Sequence, residues 1–163
     1  MILQTISRDQ KERARLRFDF HNLPGSITKG VSNIYGALGE VIVKDYFKER
    51  YIIEDKSSLN YDLIINGLKV DVKTKKIFKA PRPDYRVNIP ARSKGQKTDF
   101  YFFLYIFGDL SRAYLAGYIS KERFFNSARF CKAGEEDRGG WTFKTDCYTL
   151  TAADLQPFKL ITP

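Results

Sequence analysis

Tyr61-Asp62-Leu63-Ile64-Ile65-Asn66-Gly67-Leu68-Lys69-Val70-Asp71-Val72-Lys73 is the stretch from which the fold is read. Asn66-Gly67 is the strongest two-residue turn signal, because a type I′ turn requires positive φ at both central positions. The residues around it form a β-hairpin within 61–77. A two-residue turn sets the partners: Ile65 faces Leu68, Leu63 faces Val70, and Asp62 faces Asp71. Side-chain alternation then puts Leu63, Ile65, Leu68, Val70 and Val72 on one face, and Asp62, Ile64, Lys69, Asp71 and Lys73 on the other.

Carboxylates directly opposed on a sheet have Cβ atoms about 4.5–5.5 Å apart and repel each other. A sheet shaped for stability alone avoids that pairing, whereas a divalent cation held between the two acids removes the penalty. Lys73 follows Asp71 on the same face, roughly 6.5–7 Å along the strand. From there its ammonium can reach a nucleophilic water or steady charge developing on a phosphate. An Asp-x-Lys on an exposed strand face is commonplace by itself; the opposed Asp62 is what gives it weight.

Glu40 is the third acid. It lies in residues 31–49, the most strongly helical stretch, where Ile34, Leu38, Val41, Ile42 and Tyr46 recur at helical spacing. Val43 and Phe47 widen the apolar face, which marks a deeply packed helix. A carboxylate among such neighbours needs a partner or a metal. The simpler alternative is a surface pair with Lys44, worth about 0.3–0.5 kcal/mol.

The remaining elements are placed around these. Residues 7–18 read as a short charged helix with Leu16 and Phe18 turned inward, and residues 22–26 as a turn. Residues 78–98, with Pro81, Pro83, Pro90 and Gly95, read as a long basic loop holding one short strand at Tyr85–Ile89. Phe100–Phe107 is an almost unbroken apolar run, as in a central strand covered on both faces. Gly108-Asp109 turns it into a strand at Ala113–Ile119. Ser120 can cap a helix over 121–131. A late strand is expected at 141–150, with Thr151 capping a short final helix. The fold class is therefore α/β, a mixed central sheet flanked by helices. One domain spans 1–163: a basic N-terminal helix and turn (1–30), a core (31–131), and a C-terminal strand with a short helix (132–163).

The net charge of +9 is concentrated. Residues 66–98 hold ten basic and two acidic side chains, while residues 99–163 balance eight against eight. A basic segment of this kind suits a polyanion, because each phosphate neutralised by Lys or Arg releases counterions. The single histidine, His21, rules out zinc sites with two histidines and leaves any Ser-His-Asp triad to run through it. Cys131 and Cys147 lack metal-ligand spacing and read as buried, reduced thiols. Gly36-Ala37-Leu38-Gly39 lacks the lysine of a phosphate-cradling loop. No stretch of about 18 apolar residues could cross a membrane. The polar start carries no secretory signal, so a cytoplasmic location is expected.

With the acid-bearing helix, the hairpin and its Asp-x-Lys in this order, the chain resembles the PD-(D/E)xK nuclease superfamily, over roughly residues 31–131. Its size and basic character are similar to small phage or intron-encoded endonucleases and to Holliday junction resolvases. Tyr61 stands where the motif has proline, and the second acid is Asp71 rather than the commoner Glu. The resemblance implies a restriction-endonuclease-like fold. It also implies that Glu40, Asp62 and Asp71 bind Mg²⁺ (or Mn²⁺), that the carbonyl of Val72 is a further ligand, and that Lys73 positions the attacking water. The expected activity is Mg²⁺-dependent endonucleolytic hydrolysis of DNA phosphodiesters, on junction or branched DNA or of the phage or intron type. In the latter case the site of action would be the host cytoplasm. Lys75, Lys76, Lys79, Arg82, Arg86, Arg92, Lys94 and Lys97 would guide the DNA backbone, with Lys29 at a phosphate near the site. Two-fold substrates would favour a homodimer. The alternative is a non-catalytic nucleic-acid-binding module that retains the nuclease fold.

Overall fold

The computed structural model describes residues 1–20, 31–55, 58–137, 140 and 142–158. In chain order the elements are β1 (Ile2–Thr5), α1 (Arg8–Phe20), α2 (Val31–Phe47), β2 (Ile53–Glu54), β3 (Leu63–Ile65) and β4 (Leu68–Ile77). They continue with β5 (Arg86–Pro90), β6 (Phe100–Phe107), β7 (Arg112–Ser120), α3 (Lys121–Ser127), β8 (Arg129–Cys131) and β9 (Cys147–Thr151).

The hairpin turn forms as its sequence demands: φ is 48° at Asn66 and 79° at Gly67, the left-handed values of a type I′ turn. It joins β3 to β4 in a six-stranded sheet of order β1-β7-β6-β4-β3-β2. Neighbours run antiparallel except β4 and β6, which are parallel. A parallel pair needs a crossover. Here residues 78–99 supply it, and on the way they add β5 to a second, three-stranded sheet of order β5-β9-β8.

The fold is thus mixed α/β, and its central strands are buried on both faces. On one face Leu63, Ile65, Val70, Val72, Phe102, Leu104 and Ile106 meet Leu38, Val41, Ile42, Val43 and Phe47 of α2. On the other face Tyr101, Phe103 and Tyr105 meet Val87 and Ile89 of β5, Phe124 of α3, and Leu150. The unbroken apolar run at 100–107 therefore serves two cores in alternation, each fully buried Leu or Phe contributing about 1.5–3 kcal/mol.

Several sequence expectations are corrected. Leu16 is 57% exposed rather than turned inward. α1 instead buries Ala14 and docks through polar contacts to α2, with Arg13 2.5 Å and Gln10 2.9 Å from Asp45. The Phe18 side chain, the turn at 22–26 and His21 lie outside what is described. Ser120 does cap α3, its side chain accepting from the Arg123 N–H at 3.3 Å. The helix ends at Ser127, however, because Ala128 adopts an extended backbone and leads into β8. The late strand covers Cys147–Thr151 rather than 141–150, and Thr151 caps a three-residue 3₁₀ turn through a capping box with Asp154. The basic loop is also more ordered than its prolines suggest, since Ala91–Gly95 after β5 forms a 3₁₀ turn. Cys131 and Cys147 are buried and free, and they face each other across β8 and β9. No described helix is long and apolar enough to cross a membrane.

α2 lies tightly against β4 at Gly39. A Cβ there would lie 2.1 Å from Thr74 Oγ1 and 3.4 Å from both Thr74 Cβ and Val72 Cγ1. Thr74 is branched at Cβ, so rotation brings another substituent into the same gap. Gly39→Ala is expected to lower stability by about 1–3 kcal/mol through overpacking, read from the urea midpoint, and Gly39→Val by more.

Candidate active site

The β3–β4 register is the expected one, with Leu63 opposite Val70, Ile64 opposite Lys69 and Ile65 opposite Leu68. The ladder stops one pair short of Asp62 and Asp71. The Asp62 N–H donates to the Val70 carbonyl at 2.9 Å. Its Oδ2 accepts from the Val72 N–H at 2.7 Å, so a side chain takes over where strand backbone would have continued. In a strand the N–H and C=O of one residue point to the same side. The Val72 carbonyl therefore also points past the end of β3, beside Asp62.

Asp71 follows on β4, on the face opposite α2, and is 4% exposed. Its Oδ2 forms a 2.5 Å ion pair with Lys73 Nζ, but no well-directed hydrogen bond satisfies that buried oxygen. Glu40 projects from α2 and pairs with Arg17 of α1, its Oε2 2.6 Å from Nε. Arg17 also reaches Asp55 at 2.6 Å, so one guanidinium ties α1 to the acidic side of the site.

These groups act on one another. Burial, then the charge of Glu40, then the charge of Asp71 push the Asp62 carboxyl up to about 8, against the opposing pull of the Val72 N–H and Lys73. The four residues singled out in the sequence thus share one electrostatic field. Among the described residues no three acidic, His or Cys side chains are already drawn into a coordination shell. Glu40 is turned to Arg17 and Asp71 to Lys73. The donor set still suits a hard divalent cation: it is all oxygen, it carries mutually repelling acids, and it includes the unsatisfied Asp71 Oδ2.

Two further residues belong to the site. Tyr101 pairs with Asp71 in the β4–β6 register, and its buried hydroxyl has no hydrogen-bond partner among the described residues. Burial and the Asp71 charge hold that phenol above its ordinary range. Its place in an apolar run made it look like core. Arg17 was one cation among several on a charged helix, and no local signal separates it from them.

The basic residues divide. Gln96 donates to the Leu59 carbonyl at 3.2 Å, the Lys97 N–H to Asn60 Oδ1 at 3.1 Å, and the Asp99 N–H to the Lys69 carbonyl at 2.8 Å. These bonds bring exposed Lys97 beside the loop that leads into Asp62, whereas Lys94 lies over the Tyr148 and Phe125 rings and Arg92 is exposed. Lys75 and Arg86 lie beyond Lys73, and Arg86 is held by Asp137 through bonds of 3.0 and 3.1 Å. Lys76 instead lies over Tyr35 of α2 and Phe78, away from the Asp71 face. Lys79 is exposed, and Arg82 pairs with Asp84 at 3.0 Å. Lys29 lies outside the described residues.

A carboxyl whose pKa rises from 3.8 to about 8 on folding holds a proton that the unfolded chain has released. Stability should therefore fall as pH rises between about 4 and about 8, and level off above that. Urea midpoints measured in EDTA across this range are expected to show the fall. Asp62→Asn should flatten it, because the amide oxygen can still accept from Val72 without ionising.

Comparison of the chain with protein-family models and with curated proteins finds no match, so the chemistry rests on these residues and their geometry.

Proposed function

We propose that the protein is a metal-dependent DNA endonuclease with a restriction-endonuclease-like core of the PD-(D/E)xK type. The observation that carries this reading is the shared field of Glu40, Asp62 and Asp71 with Lys73 beside them. Mutually repelling acids, one buried and two partly buried, destabilise a fold unless something compensates. Here they lie on the helix and hairpin that would present them to a phosphodiester.

Glu40, Asp62 and Asp71 would hold Mg²⁺ or Mn²⁺, with the Val72 carbonyl as a further ligand. When bound, such an ion supplies charge stabilisation at the phosphate and a more acidic water. Lys73 leaves its resting pair with Asp71 to orient the attacking water and offset charge on the phosphoryl oxygens. Arg17 keeps Glu40 aligned from behind. Lys94 and Lys97 on one flank, and Lys75 and Arg86 on the other, receive the phosphates of the bound strand. Branched or junction DNA in the cytoplasm, cut by a homodimer, is the substrate setting in keeping with a small basic chain.

Supercoiled plasmid should be nicked in Mg²⁺ or Mn²⁺ and left intact in EDTA. Asp71→Ala and Lys73→Ala should each slow nicking by about 100-fold or more. Normal cutting by both variants would refute the site. Steeply salt-dependent binding without nicking in either metal would instead mark a non-catalytic DNA-binding module. Lys94→Ala and Lys97→Ala together should reduce the slope of log affinity against log salt by about 2.

A further inference from the structure

We infer that Leu59 is a wedge that enters the base stack of branched DNA beside the cleaved bond, a specificity-determining contact that rests on the nuclease function proposed above. Leu59 is 92% exposed, the most of any large apolar side chain among the described residues. It stands three residues before Asp62. Its Cα therefore lies no more than about 11 Å from that of a candidate metal ligand.

An exposed turn favours Asn, Asp, Gly or Ser rather than leucine. This turn is also fixed. The Ser58 N–H donates to the Tyr61 carbonyl at 2.8 Å, and Ser58 Oγ accepts from the N–H groups of Asn60 at 3.0 Å and Tyr61 at 3.3 Å. Gln96 Nε2 donates to the Leu59 carbonyl itself at 3.2 Å, and the Lys97 N–H to Asn60 Oδ1 at 3.1 Å. Lys121 Nζ, at the start of α3, donates in turn to the Gln96 carbonyl. The leucine is thus mounted on a turn bonded to residues 96–97 and, through them, to α3. An aliphatic side chain held in water on such a mount keeps its burial free energy available for whatever docks against it.

The neighbours identify what docks. Lys97 is exposed beside the turn, and Lys69 Nζ lies over the Tyr61 ring, 5.6 Å from its centroid. An apolar tip with cations beside it, one short step from the acidic cluster, matches a strand with charged phosphates and stacked bases. Side chains such as Leu, Phe and Met enter between base steps and partly unstack them. The cost is least where stacking is already broken, as at a branch point, or weak, as at TA and CA steps. A wedge fixed near Asp62 would therefore select branched or easily kinked DNA without reading a base edge. It would also hold the phosphate of the opened step toward Glu40, Asp62 and Asp71.

The test uses the full chain in EDTA, with forked DNA carrying 2-aminopurine in the base pair at the branch point and the matched linear duplex. The fork should bind about tenfold more tightly. Its fluorescence should rise on binding, because an aliphatic wedge unstacks the base without quenching it. Leu59→Ala should abolish the rise and bring the two affinities close together. It should leave the slope of log affinity against log salt unchanged, since leucine neutralises no phosphate. Leu59→Met, still apolar and of similar size, should keep the rise. Lys97→Ala should do the reverse of Leu59→Ala, lowering the slope by about 1 and keeping the rise. Substitution at so exposed a position should not move the urea midpoint. No rise with the wild-type chain, or an equal rise with Leu59→Ala, would overturn the wedge. A shift of Leu59→Ala to smaller species in gel filtration, with the DNA distorted as before, would overturn it in favour of a self-association contact. Plasmid nicking is scored separately. Nicking with no rise refutes the wedge alone, whereas a Leu59-dependent rise without nicking refutes only the catalytic reading.

Discussion

The middle of β4, Val70 to Val72, is buried on both faces, and the left-handed backbone at Asn66 and Gly67 sets which of its side chains goes to which face. A slip of one residue would send Val70 and Val72 away from α2 and drive Asp71 and Lys73 into the apolar core beneath it. The register is therefore set twice, by turn geometry and by the cost of burying charge. Everything else is built against that strand: β3 on one edge, β6 on the other, α2 across it at Gly39, and the second sheet behind Lys73 and Lys75.

The site sits where this order gives out. β3 begins only at Leu63, opposite Val70, while β4 continues to Ile77, and the Asp62 side chain closes the gap by taking the Val72 N–H. An acid is thereby buried beside two others, and the fold manages the repulsion with cations rather than with distance. Arg17 holds Glu40, and Lys73 holds Asp71. Asp62 has a hydrogen bond but, among the described residues, no ion pair of this kind, and burial with the charges of Glu40 and Asp71 pushes its carboxyl up despite the Val72 N–H and Lys73. Under the metal-dependent function proposed above, such a cluster would exchange its internal cations and protons for an external ion.

Much of this was legible in the chain. The turn chemistry of Asn66-Gly67, the helical spacing of Leu38, Val41 and Ile42, and the apolar run at 100–107 are local signals, and each produced its element. The acids and Lys73 could be grouped because a hairpin of known turn length converts sequence distance into cross-strand distance. What could not be read was non-local. β1 is four residues long and exists because β7 offers an edge. Leu16 looked like a core residue, but α1 docks through Asp45 instead. Tyr101 could not be told from its aromatic neighbours until β6 lay beside Asp71.

By itself, then, the sequence determined the hairpin, its register and the order Glu40, Asp62, Asp71, Lys73, because turn geometry and side-chain periodicity act over a few residues. Tertiary structure alone decided that β6 lies parallel to β4, that Arg17 neutralises Glu40, that Gln96 and Lys97 are bonded to the loop before Asp62, and that a cavity lies between β5 and β4 beside Lys73. Each of these depends on which distant surfaces bury one another. That is a property of the packed whole, and no window of sequence contains it.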